Sequence, residues 1–183
     1  MRLVIECSTS VALVALVMDN STIIHQKENQ NLHSKYMLSM IDGLLQEANV
    51  APAMLTDIMV GEGPGSYTGA RIAVTIAKMF AMQLNIPLFT FDSLSVYATS
   101  ESICAVGIQL KRGTVLGGVY DLSQGQIIHS PTYYDQDEWE NVTAGLTVIA
   151  PQKKAIDLDK LILREVKDIN SFSPNYAREW QPT

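Results

Sequence analysis

Histidine and cysteine are scarce in this 183-residue chain, three and two respectively, and their scarcity excludes much chemistry. Cys7 and Cys104 lie far apart and form neither a CxxC pair nor a disulfide framework, which suits a reducing cytoplasm. His33 opens a predicted helix, but the position one turn on is Met37, so a paired-histidine zinc motif is absent. His25 and His129 fall in predicted strands without ligand-type neighbours, and no metal site is expected. There is no Gly-Lys pair, which removes a Walker A loop. After Gly63 and Gly65, the position that a dinucleotide fingerprint reserves for glycine is Thr68. Long apolar runs are also missing. Glu6 and Asp19 interrupt the N-terminal one, so neither a signal peptide nor a membrane span is expected.

What is present reads as an acidic globular chain. Apolar residues make up 47% and charged residues 17%, with a formal net charge of −6 and a pI of about 5.0. That charge disfavours the chain as a main nucleic-acid-binding surface. Leu3 to Ile5 and Val11 to Met18 are β-branched apolar runs around a small-residue turn, and Thr22 to Lys27 adds a third strand. Tyr36, Met40, Leu44 and Ala48 then recur every fourth residue, with Met37 and Ile41 beside them, between a predicted cap at Asn31 and a terminator at Asn49. Asp57 to Gly61 reads as a buried strand. In the helix predicted from Thr68 to Leu84, Gly69, Ala73, Ala77 and Ala81 form a small-residue stripe beside Ile72, Ile76, Phe80 and Leu84. Such a stripe permits close helix approach, and a helix apolar almost all round points to a partner. Leu88 to Phe91 is a further strand, with a helix capped by Asp92 or Ser93 after it.

A second unit follows. Ile103 to Leu110 and Thr114 to Asp121 alternate around Lys111-Arg112-Gly113 as a hairpin, Gln126 to Tyr133 adds a strand, and Leu158 to Asp168 reads as one helical segment. The pattern predicts two α/β units, 1–100 and 101–183, the second shortened.

Two turns carry candidate chemistry. Glu6-Cys7-Ser8-Thr9 places an acid before hydroxyl residues between strands, where actin-like ATPases and sugar kinases meet metal and phosphates; turn chemistry alone also explains it. Gly61-Glu62-Gly63-Pro64-Gly65-Ser66-Tyr67-Thr68-Gly69-Ala70-Arg71 joins a strand to a helix and could hold an anion, but tight-turn geometry explains it without one.

The stretch Gly63 to Arg71 resembles the GPGSFTGLR signature of the TsaB (YeaZ) family, with Tyr67 for Phe and Ala70 for Leu. Ile5 to Thr9 is similar to the family's IDTST opening, His33-Ser34 to its helix-starting pair, Lys111 to Gly113 to its basic hairpin turn, and Pro174 to Arg178 to its terminal PxYxR. Glu6 replaces the usual Asp, Gln109 stands where an Asp is usual, and Val148 to Pro151 occupies the place of a GDG-like turn.

The resemblance implies an α/β, actin-like (ASKHA) fold of two RNase H-like halves, the second truncated, and a part in making threonylcarbamoyladenosine at position 37 of tRNA. It implies a non-catalytic scaffold that binds a TsaD-type catalytic subunit, joined by a TsaE-type ATPase. No cofactor is expected, and tRNA is contacted only indirectly. The interface expected from it comprises His33, Tyr36, Met37, Met40 and Leu44 of the first helix. From the second come Tyr67, Gly69, Ala70, Ile72, Ala73, Ile76, Ala77 and Phe80, the same face serving a homodimer. Gly63, Pro64, Gly65, Ser66, Thr68 and Arg71 shape the turn, and Glu6, Ser8 and Thr9 are vestigial nucleotide positions. The alternatives are a stand-alone actin-like ATPase or kinase and an M22-type metallopeptidase.

Overall fold

Strands β1 (Arg2–Glu6), β2 (Val11–Met18) and β4 (Asp57–Gly61) are almost wholly apolar and buried on both faces, so they lie inside a sheet covered from both sides. The structure is a computed structural model and describes residues 1–28, 33–99, 101–152 and 156–177, with the backbone alone at 33–35. With β3 (Ser21–Glu28), β5 (Leu88–Phe91) and β10 (Arg164–Glu165), these strands form a sheet ordered β10-β5-β4-β1-β2-β3. β1 runs antiparallel to β2 and parallel to β4. The period of two then divides the side chains. Leu3, Ile5, Val14 and Leu16 face helices α1 (His33–Glu47) and α2 (Tyr67–Leu84), whereas Val4, Leu13 and Ala15 face the second half of the chain.

That half holds β6 (Cys104–Gln109), β7 (Thr114–Asp121), β8 (Gln126–Asp135) and β9 (Thr147–Ile149), in the order β8-β7-β6-β9. Helix α3 (Gln136–Val142) is closed by a capping box between Asp135 and Glu138. Its Trp139 fills the space left at Gly107 and Gly117, where an added Cβ would come within 2.8 and 2.3 Å of the indole. Val4, Leu13 and Phe91 of the first sheet share a core with Val106, Leu116 and Tyr120 of the second. Among the described residues, no helix is long and apolar enough to cross a membrane.

The expected early strands and both long helices form within a residue or two of their predicted bounds. Asn49 takes a left-handed conformation (φ 52°) after α1, as its terminating role requires. The cap at Asn31 lies outside the described residues. Two expectations are corrected. The helix expected after Asp92 is a single 3₁₀ turn, Ser95–Tyr97, since chain leaves it extended at Ala98. The helix expected over 158–168 is a 3₁₀ turn at Leu158–Lys160 followed by β10. Leu158 and Leu161 are buried in the inter-sheet core, and Arg164 and Glu165 pair with Thr90 and Phe89 on the open edge of β5. Completing a sheet edge satisfies backbone groups that an isolated helical turn would leave open.

Candidate partner-binding site

The glycine-rich turn between β4 and α2 is built by contact with other turns. Ser66 caps α2, its Oγ accepting from the Gly69 N–H at 3.2 Å. The Ser66 N–H donates to the Ser8 carbonyl at 2.5 Å, the Glu62 N–H to Phe91 O at 3.0 Å, and the Gly63 N–H to Ser93 Oγ at 2.9 Å. A Cβ at Gly65 would lie 2.2 Å from Ser8 O, and one at Gly69 2.0 Å from Cys7 O. Gly63 (φ +102°) carries the Asn175 carbonyl against its open side. These glycines therefore permit backbone-to-backbone contact with the β1–β2 turn and with the C-terminal segment. The Glu62, Gly63, Ser66 and Gly69 N–H groups of the turn are thus paired within the protein.

Glu6, Ser8 and Thr9, the nucleotide-type candidates, are all buried. The Glu6 carboxyl accepts from the Ser8 N–H at 2.8 and 3.0 Å and from Ser8 Oγ at 2.6 Å. Thr9 and Tyr97 share a hydroxyl hydrogen bond of 2.7 Å. Asp92 lies at the same seam, accepting from the Leu94 N–H at 2.8 Å and from Tyr120 Oη at 3.1 Å. Burial pushes the pKa of both Glu6 and Asp92 up to about 7. Among the described residues, no group of three His, Cys, Asp or Glu could hold a metal ion.

A pH effect follows. The unfolded chain releases the Glu6 proton near pH 4.5, whereas the fold holds it to about 7. Stability is therefore highest below the unfolded value and falls as pH rises through 7. Glu6→Gln keeps an acceptor for Ser8 and removes the ionisation. Asp92 titrates in both proteins, so urea unfolding should show the wild type losing on the order of 2 kcal/mol more than the variant between pH 5 and 8. Equal slopes would contradict the assignment of the effect to Glu6.

The outer faces of α1 and α2 present a different surface. Of the residues expected at an interface, Met37, Leu44, Gly69, Ala70, Ala73 and Ala77 are buried. Ala73 and Ala77 belong to the core formed with Leu3, Ile5, Ile58 and Val60, so the small-residue stripe seats α2 on its own sheet. This corrects the expectation that the stripe faces a partner. Ile76 is almost covered at 9% exposure. Tyr36, Met40, Ile72 and Phe80 are half-buried, and Tyr67, Thr68 and Arg71 are exposed. The side chains of His33 and Ser34 lie outside the described residues. The open apolar positions are Leu38, Met79 and Met82, each more than half exposed. Leu38 passes unnoticed in the sequence, and Met79 and Met82 read there equally as core or as an adaptable contact surface, because only the sheet direction shows which helix side is free. A groove of about 300 Å³ runs between the helices, lined by Leu38, Arg71, Ile72, Thr75 and Ile76.

The C-terminal segment borders this surface. The Asn175 N–H donates to Glu62 O at 2.8 Å, and Lys78 Nζ donates to the carbonyls of Asn170 and Phe172, both at 2.9 Å. The Tyr176 ring stacks on Tyr67 with centroids 4.6 Å apart. Arg178, the last residue of the terminal motif, lies outside the described residues.

Two joined α/β halves, with a glycine turn feeding the second long helix, define a glycoprotease-like protein of actin-like fold. The family model of TsaD, tRNA N6-adenosine threonylcarbamoyltransferase, matches residues 19–108. The tRNA threonylcarbamoyladenosine biosynthesis protein TsaB of Bacillus subtilis (strain 168) is 33% identical over 131 residues, covering 67% of this chain and 56% of that protein. The chain thus spans just over half the length of that relative. YeaZ from Pseudomonas aeruginosa superposes with a TM-score of 0.64 at 28% identity, over 73% of this chain and 66% of that one. A crystal structure described as an uncharacterized protein with similarity to peptidase YeaZ from Pseudomonas aeruginosa gives a TM-score of 0.78 at 22% identity, over 97% and 99% of the two chains, and shares the fold. The chain belongs to the TsaB (YeaZ) family.

Proposed function

We propose that this chain is a non-catalytic subunit in threonylcarbamoyladenosine biosynthesis on tRNA, and that it docks a TsaD-type catalytic subunit on the outer face of α1 and α2. The observation that carries this reading is the free apolar face of Leu38, Met79 and Met82 beside an interhelical groove. The match of the TsaD family model across both helices supports it: a chain sharing the transferase's fold can meet it helix pair against helix pair. The non-catalytic part is supported by the burial of Glu6, Ser8 and Thr9 and by the internal pairing of the glycine turn. In this reading, Met37, Leu44, Ala73 and Ala77 hold the helices in place, while Tyr36, Met40, Tyr67, Ile72, Ile76 and Phe80 lie at or just beneath the contact.

The same face serves self-association when the transferase is absent, and a TsaE-type ATPase joins the assembled pair. tRNA sits on the transferase, a reading that the acidic charge of this chain supports, and the complex works in the cytoplasm. Residues 1–100 supply the docking half, and 101–183 brace it. Copurification with the TsaD-type subunit and restored threonylcarbamoylation of unmodified tRNA in a reconstituted reaction test this role. Robust transfer by the TsaD-type subunit without this chain would overturn it.

A further inference from the structure

Among the described residues, Arg71 is the one charged side chain lining the groove, and it is held rather than free. It stands one helical turn after Tyr67, so its guanidinium folds back over that ring, with Cζ 4.5 Å from the centroid. Tyr176, which stacks on Tyr67, accepts a hydrogen bond of 3.2 Å from Arg71 Nε. The C-terminal segment thereby locks a side chain carried by α2, and the Asn175 bond to Glu62 O fixes the segment itself. Among the described residues, no ion pair and no Nη hydrogen bond is made by Arg71, and the other groove residues, Leu38, Ile72, Thr75 and Ile76, carry no charge.

A guanidinium fixed at the edge of an apolar groove is desolvated when the groove is covered, and this is unfavourable unless the occupant brings an anion. Arginine forks match a carboxylate through two parallel N–H bonds, and the Nη edge remains available for them. We propose that Arg71 determines partner specificity on this face, taking an Asp or Glu carboxylate carried by an apolar helix of the docked TsaD-type subunit. Tyr67 and Tyr176 position it by freezing its side chain before docking, so that less freedom is lost on binding. This inference rests on the docking face proposed above and adds the chemistry that the occupant must carry.

The test is titration of the purified TsaD-type subunit with the wild type, Arg71→Gln, Arg71→Lys, Tyr176→Phe and Leu38→Arg, at low and at raised salt. Thermal melts confirm that each variant folds. Arg71→Gln should weaken binding about tenfold at low salt and flatten its salt dependence. Arg71→Lys should also weaken it, because an ammonium lacks the planar fork. Tyr176→Phe keeps the stacked ring, loses the Nε acceptor, and should weaken binding severalfold without altering the melt. If Leu38→Arg abolishes binding while Arg71→Gln matches the wild type in affinity and salt response, the role of Arg71 is overturned and the docking face stands. If Leu38→Arg binds as the wild type does, the docking face itself fails. Binding of unmodified tRNA by the isolated chain, lost in Arg71→Gln, would assign the guanidinium to a phosphate and overturn the carboxylate.

Discussion

Replacing Gly69 by alanine should destabilise the fold by about 3 kcal/mol or more. The new Cβ would sit 2.0 Å from the Cys7 carbonyl oxygen and 3.1 Å from Ser8 Cα. Both are backbone atoms of the β1–β2 turn, so no side-chain rotation relieves the clash. Either α2 lifts from β1 or the turn moves, and in both cases two links loosen: the 3.1 Å bond from Cys7 Sγ to Gly69 O and the 2.5 Å bond from the Ser66 N–H to Ser8 O. Gly43, inside α1, is the matched control. Among the described residues, nothing beyond the adjoining helix backbone lies within 4 Å of a Cβ added there, and alanine should stabilise the helix by about 0.5–1 kcal/mol. Urea unfolding of the two variants checks the pair. A Gly69→Ala protein as stable as the wild type would show that the close approach does not exist.

The second large effect is on assembly. Leu38→Arg and Met79→Glu place charges at positions 52% and 51% exposed, where the isolated chain should tolerate them. A charge buried at a docked apolar face without a partner is strongly unfavourable, and each substitution should weaken binding of the TsaD-type subunit by at least about a hundredfold. Equilibrium titration checks affinity, and thermal melts should show each variant within a few degrees of the wild type. Arginine at Ala73 or Ala77, which the small-residue stripe alone suggests as a probe, would be uninformative. Both side chains are fully buried between α2 and the sheet, and their replacement would unfold the protein.

The stripe shows how far the residues alone could be read. Periodicity reveals that α2 has apolar and small faces, but both the sheet beneath it and a partner above it produce the same pattern. The sheet order decides between them, and it depends on pairings between strands distant in the chain. The β1–β2 and β6–β7 hairpins, α1, β4 and α2 were legible because each follows a local period bounded by its own turn residues. α3 was not legible: its seven residues are mostly polar, and its single anchor, Trp139, is explained by Gly107 and Gly117, which are far from it in sequence. β10 was missed because Leu158, Leu161 and Ile162 mimic helical spacing while wrapping the inter-sheet core in an irregular path. At the site, the glycine signature marked a tight turn correctly. What each glycine faces, Ser8, Cys7 or Asn175, is a tertiary fact.

Amide hydrogen exchange of the chain, with and without the purified TsaD-type subunit, tests the docking face most directly. The face proposed here predicts that binding slows exchange along α1 and α2, from Leu38 to Glu47 and from Arg71 to Met82, and leaves β8 and α3 unchanged. Protection confined to β8 and α3, with α1 and α2 exchanging as they do in the free chain, would contradict it.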